Sequence, residues 1–148
     1  MVGIEVGTPL GTSGPKQITM EMVRVHSATT GDAQWIHDDP ERCARESPWG
    51  APIVQGFLLL ANLTELSAGL SLSGLGPASM MVNVGFDRVR FVRPVLVGAS
   101  ISLTAHVGDI EIRPDGSTMV TLACRIDPDD DVDRPAVVAD WKFLVLPS

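Results

Sequence analysis

The sequence predicts an α+β fold in which an antiparallel sheet wraps around one buried helix. Three observations lead there. A strongly apolar segment of helical length runs from Gln55 to about Leu70, four strand-like segments follow Ala78, and turn signals separate those segments. At 148 residues and 45% hydrophobic composition, the chain is one domain with enough apolar side chains to bury a core. We read residues 1–148 as that single domain, with 1–16 as an N-terminal arm.

Each element has a local reason. The arm is rich in Gly, Thr and Pro and has room for one short strand. Thr19 caps a helix that starts at Met20 and runs through Ala28. From Thr30 to Gly50 the chain is polar and irregular, with a short helix around Pro40–Arg45, where proline suits a first turn. The helix beginning at Gln55 is apolar all round in its early turns, which predicts burial on every side. A loop over Ser71–Pro77 ends it. The strands are read at Met80–Val95, Ala99–Ile112, Ser117–Asp127 and Ala136–Leu146, rich in Val, Ile and Phe and often alternating. Between them lie turns at Val97–Ala99 and Pro114–Gly116, and an acidic run, Asp127–Pro135, read as a solvated hairpin loop. Such a sheet leaves an edge and an apolar face that a second copy covers, so a homodimer is expected.

Composition excludes several function classes. A net charge of -7 argues against nucleic acid, which needs a basic face. The apolar stretch Gly56–Ala61 is too short to span a membrane, and the N-terminus lacks a basic start followed by an apolar run. A cytoplasmic protein is expected. Cys43 and Cys124 have neither disulfide-scaffold nor metal-ligand spacing, and no His/Cys cluster suggests a metal.

The segment that carries chemistry is Thr30–Pro40, TGDAQWIHDDP. It puts the Asp32 carboxylate and the His37 imidazole in one loop beside Gly31, and loops on rigid scaffolds are where reactive groups are presented. On these residues alone the pair means little, and Asp32 as a turn cap with His37 as an ordinary histidine accounts for them. Gly56 stands where the chain turns into the apolar helix. Its backbone N–H is free of intrahelical bonding and able to hold an oxyanion, or the glycine serves the turn alone.

In combination these segments resemble the MaoC-like dehydratases, or (R)-specific enoyl thioester hydratases. That family carries a motif close to G-D-x-N-P-[LI]-H, then P-I-[AV]-H-G-[MF] at the start of a central helix. Here the first reads Gly31-Asp32-Ala33-Gln34-Trp35-Ile36-His37 and the second Pro52-Ile53-Val54-Gln55-Gly56-Phe57. Asp87–Ala99, DRVRFVRPVLVGA, is similar to the family's V-R-F-x-x-P-V-x-x-G strand pair. The likeness runs from about Ile18 to the C-terminus, and Gln-Trp in place of Asn-Pro is similar to the NodN-like branch.

The resemblance implies a hot-dog fold and reversible syn addition of water to a trans-2-enoyl thioester, giving an (R)-3-hydroxyacyl product. The acyl group would ride on coenzyme A or on the phosphopantetheine of an acyl carrier protein, with no other cofactor. Asp32 and His37 become the catalytic pair, Asp32 as base and His37 as its partner in positioning water. Gly56 N–H becomes the oxyanion donor, and Gln34, Trp35, Gln55, Phe57 and Thr64 become substrate-binding positions. This chain departs from the common pattern at Gln34, Trp35, Gln55 and Thr64, which puts the acyl group in question.

Other residues have their own readings. His26 and His106 are expected to be packed, singly hydrogen-bonded histidines, and Arg90 a structural ion pair. Arg88, Arg90 and Arg93, with Lys142 as a weaker candidate, are the basic groups available to a phosphate-bearing carrier. Three alternatives stand beside the hydratase: a hot-dog thioesterase using Glu65, a tailoring dehydratase of polyketide assembly, and a non-catalytic acyl-binding subunit.

Overall fold

The computed structural model describes residues 4–72, 78–131 and 133–147. Its strands are β1 (Pro9–Thr12), β2 (Lys16–Gln17), β3 (Ala78–Phe91), β4 (Ser100–Ile112), β5 (Thr118–Pro128) and β6 (Val137–Pro147). All pair antiparallel in one sheet of order β1-β4-β5-β6-β3, with β2 also on β4. The helices are α1 (Met20–Thr30), α2 (Trp35–Asp38), α3 (Pro40–Glu46), α4 (Gly56–Ala61) and α5 (Leu63–Leu66), the last continued by a 3-10 turn over Ser67–Gly69.

The period-two pattern builds the sheet. On β4, Ile101, Leu103, Ala105 and Val107 are buried, while the intervening Thr104 and His106 are exposed. Val120, Leu122 and Ile126 on β5 are fully enclosed, and Leu59, Leu63 and Leu66 of the central helical segment complete the same core. Burying each such side chain contributes about 1.5–3 kcal/mol relative to leaving it in water. The sheet therefore wraps the α4–α5 segment as its alternation demands.

Four details differ from the sequence reading. The arm supplies two strands rather than one, because both β1 and β2 find open hydrogen-bonding groups on β4. The central segment is not one helix buried all round. Asn62 separates α4 from α5, its Nδ2 donating to Leu58 O at 2.7 Å and so competing with the regular ladder. The sheet covers one side of the segment only, leaving Phe57, Ala61 and Thr64 exposed on the other. The acidic run is only partly solvated: Asp127 is buried on β5 with Arg125 Nε at 2.6 Å, and Asp130 Oδ1 accepts from Arg93 Nη2 at 2.8 Å. Of the expected loop at Ser71–Pro77, residues 73–77 lie outside the described residues.

β3 ends the sheet, and bulges interrupt its register against β6 between Asn83 and Gly85 and between Asp87 and Arg90. At the second bulge Arg88 takes a φ of 50°, in the left-handed region that disfavours a side chain. Among the described residues no helix is long and apolar enough to cross a membrane.

Candidate active site

Thr19 Oγ1 accepts Met22 N–H at 3.3 Å and starts α1 as the cap motif predicts. The helix stops at Gly31, whose φ of 79° is left-handed, with its N–H on Ser27 O at 2.9 Å. Glycine adopts that conformation without strain, so the chain reverses there and delivers Asp32 to the end of α1. The next turn is α2, which the sequence reading missed. Its cap residue, Gln34, makes no side-chain capping bond, so the usual start signal is lacking. α2 raises His37 from the loop and buries it.

His37 Nδ1 lies 2.7 Å from Ile53 O. A carbonyl only accepts, so Nδ1 carries the hydrogen, and the neutral ring presents an unprotonated Nε2. That nitrogen is 4.0 Å from Asp32 Oδ1. The separation is too long for a direct hydrogen bond and suits one small oxygen-bearing group held by both.

The Asp32 backbone is fastened on two sides. Its carbonyl accepts from Ser27 Oγ at 3.0 Å and from Gln55 Nε2 at 3.4 Å, and its N–H donates to Thr30 Oγ1 at 3.3 Å. The carboxylate remains part-exposed. Gln55 has no solvent exposure, and its Nε2 also bonds Ser27 Oγ at 3.0 Å and Val23 O at 3.2 Å. Gln55 is thus a brace between α1, the Asp32 loop and α4 through its Nε2, while its Oε1 is buried without a partner among the described residues. The supporting Ser27 and Ile53 were not singled out from sequence. A serine on the buried side of an otherwise amphipathic helix is the one signal that pointed to Ser27.

Gly56 opens α4, and its N–H, at the first helical position, has no partner within the helix. Its φ is not left-handed, so the turn alone does not require glycine. A Cβ there would meet the side-chain ring of Phe91 at 3.0 Å, so a larger residue would have to push that ring aside. Residues 52–54 hold this start in place. Val54 N donates to Val95 O at 2.8 Å, Val97 N to Pro52 O at 2.9 Å, and Ile53 N to Ile36 O at 3.0 Å. The carboxylate, the imidazole and the helix start are therefore brought together by one set of backbone bonds.

The remaining expected positions separate by location. Gln34 is exposed, and Trp35 is half-buried beneath the Arg42 guanidinium, 4.3 Å from the ring centre, which ties α2 to α3. Phe57 is 66% exposed and meets Phe91 edge to face at 6.0 Å. Thr64 is exposed and borders a groove of about 600 Å³ between α1 and α4–α5. Neither Asp32 nor His37 lines that groove, but Thr30 and Leu58 do.

His26 and His106 differ from the packed, hydrogen-bonded histidines expected. His26 Nε2 is buried without a partner among the described residues, and His106 is exposed on the outer face of the sheet. Arg90 bonds the carbonyl of Val89 at 2.8 Å; the ion pairs form instead at Arg88 with Asp140 and Arg93 with Asp130. Lys142 pairs with Asp87 at 2.5 Å. Glu65 is exposed and paired with Lys16. Cys43 and Cys124 are buried, and burial pushes the Cys124 thiol up to about 12, far from a reactive thiolate.

Fold and site together define an α+β hot-dog domain that carries a carboxylate–imidazole pair beside the start of its central helix. A MaoC like domain is recognised over residues 2–124, and the chain belongs to the MaoC-like dehydratase family. It is 35% identical over 136 residues to nodulation protein N of Rhizobium meliloti, covering 92% of this chain and 83% of that protein. It is 34% identical over 135 residues to 3-hydroxyacyl-thioester dehydratase Z of Mycobacterium tuberculosis, covering 90% and 86%. Among solved structures, the (R)-hydratase from A. caviae superposes with a TM-score of 0.75 at 25% identity, over 99% of this chain and 100% of that one.

Proposed function

We propose that the protein hydrates trans-2-enoyl thioesters, and reversibly dehydrates (R)-3-hydroxyacyl thioesters, on coenzyme A or an acyl carrier protein. The observation that carries this reading is the 4.0 Å space between Asp32 Oδ1 and His37 Nε2, bounded by two acceptors. A water held there donates one hydrogen to each, which leaves its lone pair free to attack C3. One of its protons passes to the pair, the remaining OH bonds to C3, and the electron pair of the double bond moves through C2 onto the thioester oxygen. The pair then returns its proton to C2 and ends as it began. Such proton transfer contributes roughly 100- to 10,000-fold in rate. Gly56 N–H is the donor we assign to the enolate oxygen, with a contribution of about 3–4 kcal/mol for one such group. The step needs no resident cofactor.

The measurement is the ultraviolet absorbance of crotonyl-CoA with the wild type and with Asp32→Asn. Decay with the first and none with the second is the expected result; equal rates in both would remove Asp32 from the chemistry. Thioester hydrolysis through Glu65 finds no support, since that carboxylate is exposed and paired with Lys16.

We also assign the β3 edge to a second copy of the chain. Val84 and Met80 on this terminal strand are 52% and 56% exposed, and Phe91 at its other end is 48% exposed. Unpaired strand groups together with an apolar surface suit an isologous contact. Light scattering should give twice the chain mass for the wild type and a shift toward the single mass for Val84→Lys. We place the protein in the cytoplasm, where the thioester carriers are.

A further inference from the structure

His37 is presented by α2, and α2 is a single turn of four residues. A helix that short does not hold itself in water, so contacts from outside fix its position. On one side it is held through Ile53, whose N–H donates to Ile36 O at 3.0 Å and whose carbonyl accepts from His37 Nδ1 at 2.7 Å. Those bonds meet α2 at its middle and leave its first residue, Trp35, to be held from elsewhere.

α3 supplies that hold. The Arg42 guanidinium lies over the Trp35 ring, 4.3 Å from its centre, within the range of a cation–π contact. Glu46, one turn further along α3, accepts from Arg42 Nε at 2.8 Å and steadies the guanidinium. The Trp35 carbonyl also accepts the Asp39 N–H at 3.2 Å and the thiol of buried Cys43 at 3.5 Å. A tilt of α2 would move His37 Nε2 relative to Asp32 Oδ1, 4.0 Å away. A displacement of about 1 Å in such a constellation costs on the order of a hundredfold in rate.

We propose that Trp35 is a positioning residue: clamped by Arg42, it fixes the start of α2 and with it the place of His37 Nε2. The effect on rate rests on the thioester reading above; the effect on His37 does not. Backbone stiffness at the same position does the same work. Trp35 is the first residue of α2, where the N–H has no partner within the helix. Gln34 before it has a ψ of 136°, the conformation that a following proline requires. Proline at position 35 therefore fits the backbone and locks φ near the helical value without help from Arg42.

The experiment measures crotonyl-CoA hydration together with the NMR signals of the His37 ring, identified by their absence in His37→Gln. Trp35→Ala should lower kcat about tenfold and Arg42→Gln about threefold, both with KM unchanged. Both should also broaden or split the His37 signals. Trp35→Pro should keep most of the wild-type kcat and a single sharp set of signals. Adding Arg42→Gln to Trp35→Pro should then change neither. An Arg42→Gln effect of equal size in both backgrounds, or none in the wild type, overturns the clamp. A rise in KM with kcat intact overturns it as well, because the Trp35 ring would then be a substrate contact. Arg42 is 43% exposed, so its variant folds even if Trp35→Ala does not. A wild type that leaves crotonyl-CoA unchanged sinks the hydratase reading, while the His37 signals of the Arg42 variants still decide the clamp.

Discussion

Polar groups meet opposite fates around Asp32 and on the outer face of the sheet. On the sheet, charge is matched with charge: Arg88 Nε donates to Asp140 at 2.6 Å, Lys142 pairs with Asp87 at 2.5 Å and Arg125 with Asp127 at 2.6 Å. Around Asp32 the bonds go instead to backbone carbonyls and neutral side chains. His37 spends Nδ1 on Ile53 O, and Gln55 spends Nε2 on Val23, Ser27 and Asp32. The atoms left over at the pair are His37 Nε2 and the Asp32 carboxylate, while Gln55 Oε1 and His26 Nε2 are buried without a partner among the described residues. Pairing satisfies the sheet surface and makes it inert. Neutral bracing orders the site while leaving its acceptors open.

The sharpest break in that comparison is Asp32→Asn, which keeps the backbone bonds and removes the charge. Activity toward crotonyl-CoA should fall roughly 100- to 10,000-fold, with the thermal transition little changed. Next is Gln55→Leu, which fills the same space without the three hydrogen bonds. A misplaced Asp32 should cost roughly ten- to a hundredfold in kcat, and the loss of these buried hydrogen bonds about 1–3 kcal/mol in a denaturant titration.

The charged surface should yield smaller effects, with a pH signature. Arg93, donating to Asp130, holds that carboxyl below the usual carboxylate range. The bond therefore supports the fold fully above the unfolded value of about 4. Its support fades as acid protonates Asp130 through the lowered folded value. Because Asp130 is 59% exposed, solvent screening limits the contribution to about 0.2–1 kcal/mol. Asp130→Asn should flatten the acid limb of the stability curve and change little at neutral pH beyond that amount. Arg88→Ala, on an 81% exposed side chain, should change stability by no more than about 0.5 kcal/mol and leave activity intact. A large activity loss there would bring the outer face into the reaction and end the distinction between the two regions.

Sequence by itself determined the framework. Alternation located β3 to β6 to within a few residues at each end, Thr19 started α1, and the resemblance of two short segments to a family motif singled out Asp32, His37 and Gly56. Those features depend on near neighbours: side chains two apart share a sheet face, and a cap acts within its own turn. Tertiary structure alone decided the rest. Gln55 was legible as a departure from a motif but not as a brace, because its partners Ser27 and Val23 lie on another helix. The Phe91 ring packs against Gly56 from β3, a contact the local sequence does not reveal. The central segment is exposed along Phe57, Ala61 and Thr64 because a single sheet covers only one side of it. Arg93, rather than Arg90, carries the ion pair because the acidic loop folds back onto it. Each of these rests on residues far apart in the chain, and only the packed register of sheet against helix brings them within bonding distance.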